Sequence, residues 1–355
     1  MPKRGFPLFF AVCVICVSIL LYNVKDLIFI QQEKNESSAY SNPFLSIEEG
    51  EKAESEASLS KVEENSSNGQ TAEKPETESQ SSQTSVQAGT EAVKGKIISN
   101  YISPYNAPLS YNGVYMKNST GKTVDIKSLL TANLGFKIEK NDQPQVLIMH
   151  THTTESFMNE DSEYYTADFQ SRSTDNSKNM VKIGNIVTEK LNQAGIKTLH
   201  DTTQHDYPQY NGSYTRSAKT VKSYLEKYPS IKVVLDLHRD AVSSGESDKV
   251  KLVTEIEGKK AAQIMVVMGS ETGSVTNHPK WQENLKLALK FQQLLEIKYP
   301  TLARPLSLVS SKYNQNLTTG SMLIEFGTDA NSFDEVCYTA ELVGNTLTAL
   351  FNSLG

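Results

Sequence analysis

The sequence predicts an α/β domain with a single, largely parallel sheet flanked by helices, set behind an N-terminal membrane helix and a disordered linker. Three observations predict it. From about residue 141 onward, short apolar runs alternate with segments of helical spacing, the pattern of strands joined by crossover helices. Residues 6–22 are almost wholly apolar, at the lower length limit for a helix crossing about 30 Å of hydrocarbon. Residues 32–95 are rich in Glu, Ser, Gln, Asn and Thr and poor in large apolar side chains. Such a segment cannot bury enough surface to offset its ordering entropy.

The chain divides accordingly into residues 1–31 (cytoplasmic tip and membrane anchor), 32–95 (acidic linker), 96–140 (a β-rich leading segment) and 141–355 (the main domain). Lys3 and Arg4 precede the apolar stretch, so the positive-inside rule leaves everything after it outside the cytoplasm. A cleaved signal peptide is the competing reading. Tyr22-Asn23-Val24-Lys25 stands where such a peptide would carry small residues, which favours an uncleaved anchor. As a flexible coil the linker gives a root-mean-square reach of roughly 40–45 Å. It holds 13 Glu and 5 Lys, whereas the whole chain carries a net −6, so the acidity belongs to the linker. No basic excess suggests nucleic acid. Cys13 and Cys16 lie in the apolar stretch and Cys337 stands alone, leaving no disulfide framework and no cysteine metal site.

Within the main domain, Val146–Met149 reads as a buried strand bounded by Pro144 and a polar loop. Asn179–Ala194 has helical spacing and stops at Gly195. Lys197–Leu199 is a weak strand, and Tyr214–Tyr228 an amphipathic helix before Pro229. Val233–Leu237, Leu252–Ile256 and Gln263–Met268 read as strands. Lys280–Tyr299 is a long helix ended by Pro300, Met322–Phe326 a strand and Phe333–Phe351 a closing helix.

Three polar clusters fall at the carboxyl ends of predicted strands, where α/β sheets place their ligand sites. They are His150-Thr151-His152-Thr153-Thr154-Glu155, Asp236-Leu237-His238-Arg239-Asp240, and Glu325 within Leu323-Ile324-Glu325-Phe326-Gly327. Imidazole and carboxylate from distant strand ends suit a catalytic metal, which takes three protein ligands and keeps a fourth position for water. A separate carboxylate then moves protons. Glu325 suits that task, because a carboxylate flanked by Ile324 and Phe326 costs free energy unless paired or neutral. A strand-end glutamate held in a salt bridge is its structural alternative. His200, His205 and His278 lack clustered partners in sequence and read as surface or loop residues. Arg239 could grip a substrate carboxylate or pair with Asp240 or Asp236. Tyr313, Asn314 and Asn316 precede the Glu325 strand and could touch substrate.

The segments LIMHTHTTESF (147–157), RSTDNSKNMVKIG (172–184), DLHRDA (236–241), WQENLKLALK (281–290) and YNQNLTTGSMLIEFGTDAN (313–331) resemble the stage II sporulation protein P family of engulfment hydrolases. That family is in turn similar to the zinc-dependent N-acetylmuramoyl-L-alanine amidases. The resemblance implies zinc, peptidoglycan as substrate, endopeptidase as well as amidase activity, and stage II sporulation proteins D and M as partners at the engulfing membrane. It implies His238 as a metal ligand and Glu325 as the proton shuttle. At the first strand end His152 and His150 compete as ligand, the other standing behind the metal. Asp175 takes the position of the amidase carboxylate ligand, with a helix N-cap as its alternative and Glu155 in reserve. Two further readings stay open: a degenerate peptidoglycan-binding scaffold, and a metallopeptidase acting on proteins.

Overall fold

The computed structural model describes residues 92–272 and 275–355, which fall within one compact unit, Ala88–Gly355. The apolar stretch at 6–22 and the linker as far as residue 91 lie outside them. Among the described residues no helix is long and apolar enough to cross a membrane. The linker ends earlier than its composition suggests, because β1 (Val93–Asn100) is a paired strand.

After β1 come β2 (Leu109–Tyr111), β3 (Val114–Asn118), α1 (Ile126–Thr131), β4 (Val146–Met149), β5 (Tyr164–Thr166), α2 (Met180–Gln193) and β6 (Thr198–His200). Then follow α3 (Ser213–Lys227), β7 (Val233–Asp240), β8 (Ser243–Ser244), β9 (Asp248–Ile256), β10 (Lys259–Ala262) and β11 (Ile264–Gly269). The last elements are α4 (Trp281–Lys298), β12 (Leu306–Val309), β13 (Ser321–Thr328) and α5 (Phe333–Asn352).

Among the described residues the strands form two sheets, and neither is purely parallel. The larger runs β2-β3-β12-β11-β13-β7-β4-β6. Strands β13, β7, β4 and β6 are parallel to one another, as are β3, β12 and β11, but the halves meet antiparallel at β11 and β13. The expectation of a single sheet is corrected, since there are two; the larger is largely parallel as expected, but mixed, with antiparallel pairs at β2–β3 and β11–β13. A helix joins β11 to β12 and keeps them parallel, whereas the connection from β12 to β13 carries only the short turn Gln315–Leu317. Without a crossover helix the chain returns in the opposite sense. The smaller sheet runs β10-β9-β1-β5, with β8 on β9.

Side chains alternate across the large sheet. Ile148, Leu235, Leu237 and Ile324 face the main core with Ile183 and Val187 of α2 and Val343 of α5. Leu147, Met149 and Val234 face the other way, onto Val221 of α3. Helix α2 starts at Asn179, whose side chain accepts from Val181 N, and stops at Gly195 with φ +78°. Helix α5 starts on a capping box made by Ser332 and Glu335. Helix α1 breaks the expected β character of its segment. Asp125 caps it, and Ile126, Leu129 and Leu130 supply a buried helical face.

On the core face, α2 presses directly on the sheet at Gly184. A Cβ there would lie 2.7 Å from His150 Nε2 and closer still to His200 Nε2. Gly184→Ala should therefore cost about 1–3 kcal/mol through overpacking, read as a lower urea midpoint at unchanged slope. An unchanged midpoint would show that α2 and the two rings give way freely.

Candidate functional site

The parallel register of β13, β7 and β4 brings three strand ends together. Glu325 pairs in register with His238, so the two share a face, and Asp236 precedes His238 by one full strand repeat on that face. His150 continues the alternation of Ile148 and enters the opposite, core side. The chain then turns, with Thr153 Oγ1 donating to the His150 and Thr203 carbonyls. That turn carries His152 to the other side, where its ring stands perpendicular to His238 at 5.2 Å between centroids.

His238 is buried between carboxylates. Its Nε2 lies 2.8 Å from Asp236 Oδ1, though off the line of a hydrogen bond, and its Nδ1 lies 3.6 Å from Glu155 Oε2. Burial alone would lower its pKa, but Asp236, Glu155 and Glu325 together raise it to about 10. Asp236 is fixed in turn by the Thr151 backbone N–H and hydroxyl, at 2.8 and 2.7 Å. Burial pushes Glu155 up, yet Arg239, His238, His152 and Arg172 hold it below the usual glutamate value. It also accepts from Arg239 N at 3.1 Å.

The His152 ring stacks on Tyr210 at 4.6 Å and 12°. Tyr210 Oη lies 3.2 Å from its Nε2, while Nδ1 is buried and without a partner. Burial lowers its pKa to about 4. In His152, then, Nε2 meets a phenol and Nδ1 is left over, whereas in His238 it is Nε2, close to Asp236, that lacks a hydrogen bond, and Nδ1 faces Glu155. Glu325 Oε2 is likewise buried without a partner. Burial raises this carboxyl to about 8 against the attraction of His238, with Asp240 and Glu155 adding to the rise and Arg304 opposing it. Two imidazoles and a carboxylate are the donor types of a zinc site. Among the described residues, however, no three His, Cys, Asp or Glu side chains close on one point.

The other sequence candidates lie apart. His150 is wholly buried, with Nδ1 2.9 Å from the Leu237 carbonyl oxygen and Nε2 2.8 Å from His200 Nε2. Asp175 is exposed and accepts from the Ser177 N–H and hydroxyl. It belongs neither to the cluster nor to the helix cap, which is Asn179. Arg239 pairs with neither Asp236 nor Asp240; its guanidinium donates to the Ser156 and Ser171 carbonyls. Asn316 sits half-buried in the turn before β13, and Asn314 donates to the Tyr214 carbonyl and Ser217 Oγ. The reading of His200, His205 and His278 as surface or loop residues holds in part: His205 and His278 lie in loops but are buried, and His200 ends β6, half-buried. His200 partners His150, His205 is buried against the His150 carbonyl and Thr220, and His278 is buried with both ring nitrogens unpaired. The sequence puts Asp236 in the second polar cluster but gives it no role beside His238, and it gives no sign of Tyr210 as a site residue; these two and Tyr214 frame the two imidazoles. The strand repeat Asp236-x-His238 was the available signal for the first. Tyr210 lies in a loop that no periodicity places, whereas Tyr214 stands at the start of the amphipathic helix that the sequence predicts.

A cleft of about 710 Å³ adjoins the cluster, lined in part by Thr154, Phe157, Arg172, Asp206, Tyr207 and Tyr210. The Arg172 guanidinium lies over the Tyr210 ring at 4.7 Å and pairs with Asp206 at 2.7 Å and Glu155 at 3.8 Å.

The family described as Stage II sporulation protein P matches residues 20–348. Stage II sporulation protein P of Bacillus subtilis (strain 168) is 26% identical over 221 residues, covering 59% of this chain and 52% of that protein. The chain thus spans about half the length of this curated relative. Among solved structures, the apo N-acetylmuramyl-L-alanine amidase of Mycobacterium abscessus aligns at 13% identity with a TM-score of 0.33, covering 59% of this chain and 99% of that one. The N-acetylmuramoyl-L-alanine amidase of Clostridium difficile 630 aligns at 14% with a TM-score of 0.34, covering 61% and 100%.

The His150–His200 pair has a consequence for stability. Burial, helped by the neighbouring His200 ring, lowers His150 to about 3, and burial lowers His200 to about 4, from 6.5. The unfolded chain therefore binds these protons first as the pH falls. The stability of the neutral pair is complete above about pH 6.5 and declines towards pH 4. His200→Gln should show a smaller drop in melting temperature between those pH values than the parent chain. An identical acid profile would contradict the assignment.

Proposed function

The chain belongs to the stage II sporulation protein P family, and on that premise we propose that it is a zinc-dependent peptidoglycan hydrolase acting in sporulation. It would cut the amide between the lactyl group of muramic acid and the first L-alanine of the stem peptide, and also stem-peptide cross-links, since both are amide hydrolyses. The observation that supports this most is the pair of opposed imidazoles. His152 is backed by Tyr210 at Nε2 and leaves Nδ1 bare, while His238 has Asp236 close to Nε2, without a hydrogen bond there, and Glu155 close to Nδ1. Metal-binding histidines commonly have their outer nitrogen engaged, as His152 does through Tyr210. His152, Glu155 and His238 would hold the ion after a rotation of side chains. Asp175, the carboxylate favoured from sequence, is too far out on its exposed turn to be preferred.

Zinc held there would lower the pKa of a water towards neutrality and polarise the amide carbonyl. The remaining work falls to the chain's own residues. Glu325 lies in register beside His238, and a carboxyl poised near neutrality can take a proton from the attacking water and return it to the leaving amine. Arg304 lowers the Glu325 pKa and opposes the rise from burial. Asp236 keeps the His238 ring in place throughout.

The anchor at 6–22 and the linker would place this domain outside the cytoplasmic membrane, within reach of septal wall and of stage II sporulation proteins D and M. The full chain should bind one zinc, and Glu325→Gln should bind as much. Release of stem peptides from purified peptidoglycan, identified by mass, should fall by about 10²–10⁴-fold in that variant. Loss of zinc would make Glu325 a ligand, and unchanged release would move the proton shuttle elsewhere.

A further inference from the structure

The cleft beside the cluster has a chemistry that the proposed reaction does not by itself assign. Its inner wall is a stack in which Tyr210 lies against His152 and the Arg172 guanidinium lies against Tyr210. Arg172 is neutralised there by Asp206 at 2.7 Å, with Glu155 at 3.8 Å. The other charged lining groups, Lys178 and Asp168, are of opposite sign, so the cleft carries no net charge. Its lining also includes Tyr207, which is 58% exposed, the half-buried ring of Phe169, which packs on Tyr165, and the planar amides of Asn159 and Gln170. At about 710 Å³ it falls within the range of clefts that enclose most of a small ligand.

Both flanks of the scissile amide must be accommodated, and they differ in kind. On the acyl side is a sugar, uncharged apart from its lactyl group and rich in hydroxyls, with apolar C–H faces. On the amine side is a peptide bearing several carboxylates. A neutral cleft with an exposed ring and planar amides suits the first: the ring covers a C–H face, and the amides exchange hydrogen bonds with neighbouring hydroxyls. A carboxylate-rich peptide would find the only guanidinium in this lining already paired. We infer that the cleft is a saccharide subsite, holding the glycan flank of the scissile bond with Tyr207 as its stacking platform. The inference rests on the muramoyl-amide reading, but it is a claim about binding and can be tested without turnover.

The probe is glycan strands stripped of stem peptides, which contain no scissile amide, titrated into the full chain, with free stem peptide as the parallel ligand. The glycan should bind, and Tyr207→Ala should weaken it by about tenfold, the size of a well-placed aromatic contact. Because Tyr207 is exposed, the variant should keep the melting temperature of the parent chain. Tyr207→Phe should bind like the parent, since the ring and not the hydroxyl does the stacking. Absence of glycan binding, or glycan binding indifferent to Tyr207→Ala, would overturn the subsite. So would stem-peptide binding that is the sole affinity lost in Tyr207→Ala. If glycan binds as expected but no stem peptides are released from intact wall, the subsite stands and the amidase reading falls.

Discussion

Two neighbouring strands held in one parallel register decide where the polar groups of this domain can meet. With Glu325 opposite His238, strand alternation puts both on the same side of the sheet as Asp236, and puts Leu237 and Ile324 into the core beneath them. A slip of one residue would bury the carboxylates among the core side chains and expose that apolar row. The hydrophobic packing of α2 and α5 thus fixes the geometry of the charged side as well. Everything else in the cluster is delivered to this pair by loops: His152 and Glu155 by the turn after β4, Tyr210 by the loop before α3.

The cluster is also electrostatically bound together. Three carboxylates surround His238 and raise it to about 10, while Glu155 stays ionised because Arg239, His238, His152 and Arg172 offset its burial. Glu325 takes the opposite course, pushed up to about 8 by burial and by the acidic groups nearby. Carboxylates that share a site with their pKa values driven apart are suited to different tasks, one to hold charge and one to move protons. A divalent cation beside His238 would take over the role of the imidazolium proton, and its affinity would depend on pH for that reason.

Much of this was legible from the residues. His238 and Glu325 end apolar runs, and local alternation assigns each to a face once its strand is known. The β11–β13 junction was not legible, since strand direction depends on whether the connecting segment crosses the sheet or returns. His150 and His152 have the same parity, so alternation cannot separate them; the turn held by Thr153 does. The choice between Asp175 and Glu155 was harder still. A bridge between Glu155 and Arg172 ties two loops together, and that long-range pairing, invisible to local spacing, keeps Glu155 inside and leaves Asp175 on the surface.

Which carboxylate completes the metal set therefore decides the chemistry of this cluster. Zinc content per folded chain in Glu155→Gln and Asp175→Asn, measured by elemental analysis after dialysis with folding checked by circular dichroism, tests it most directly. The geometry predicts that Asp175→Asn retains one zinc and Glu155→Gln loses it. Full zinc in Glu155→Gln together with loss in Asp175→Asn would contradict the proposed site.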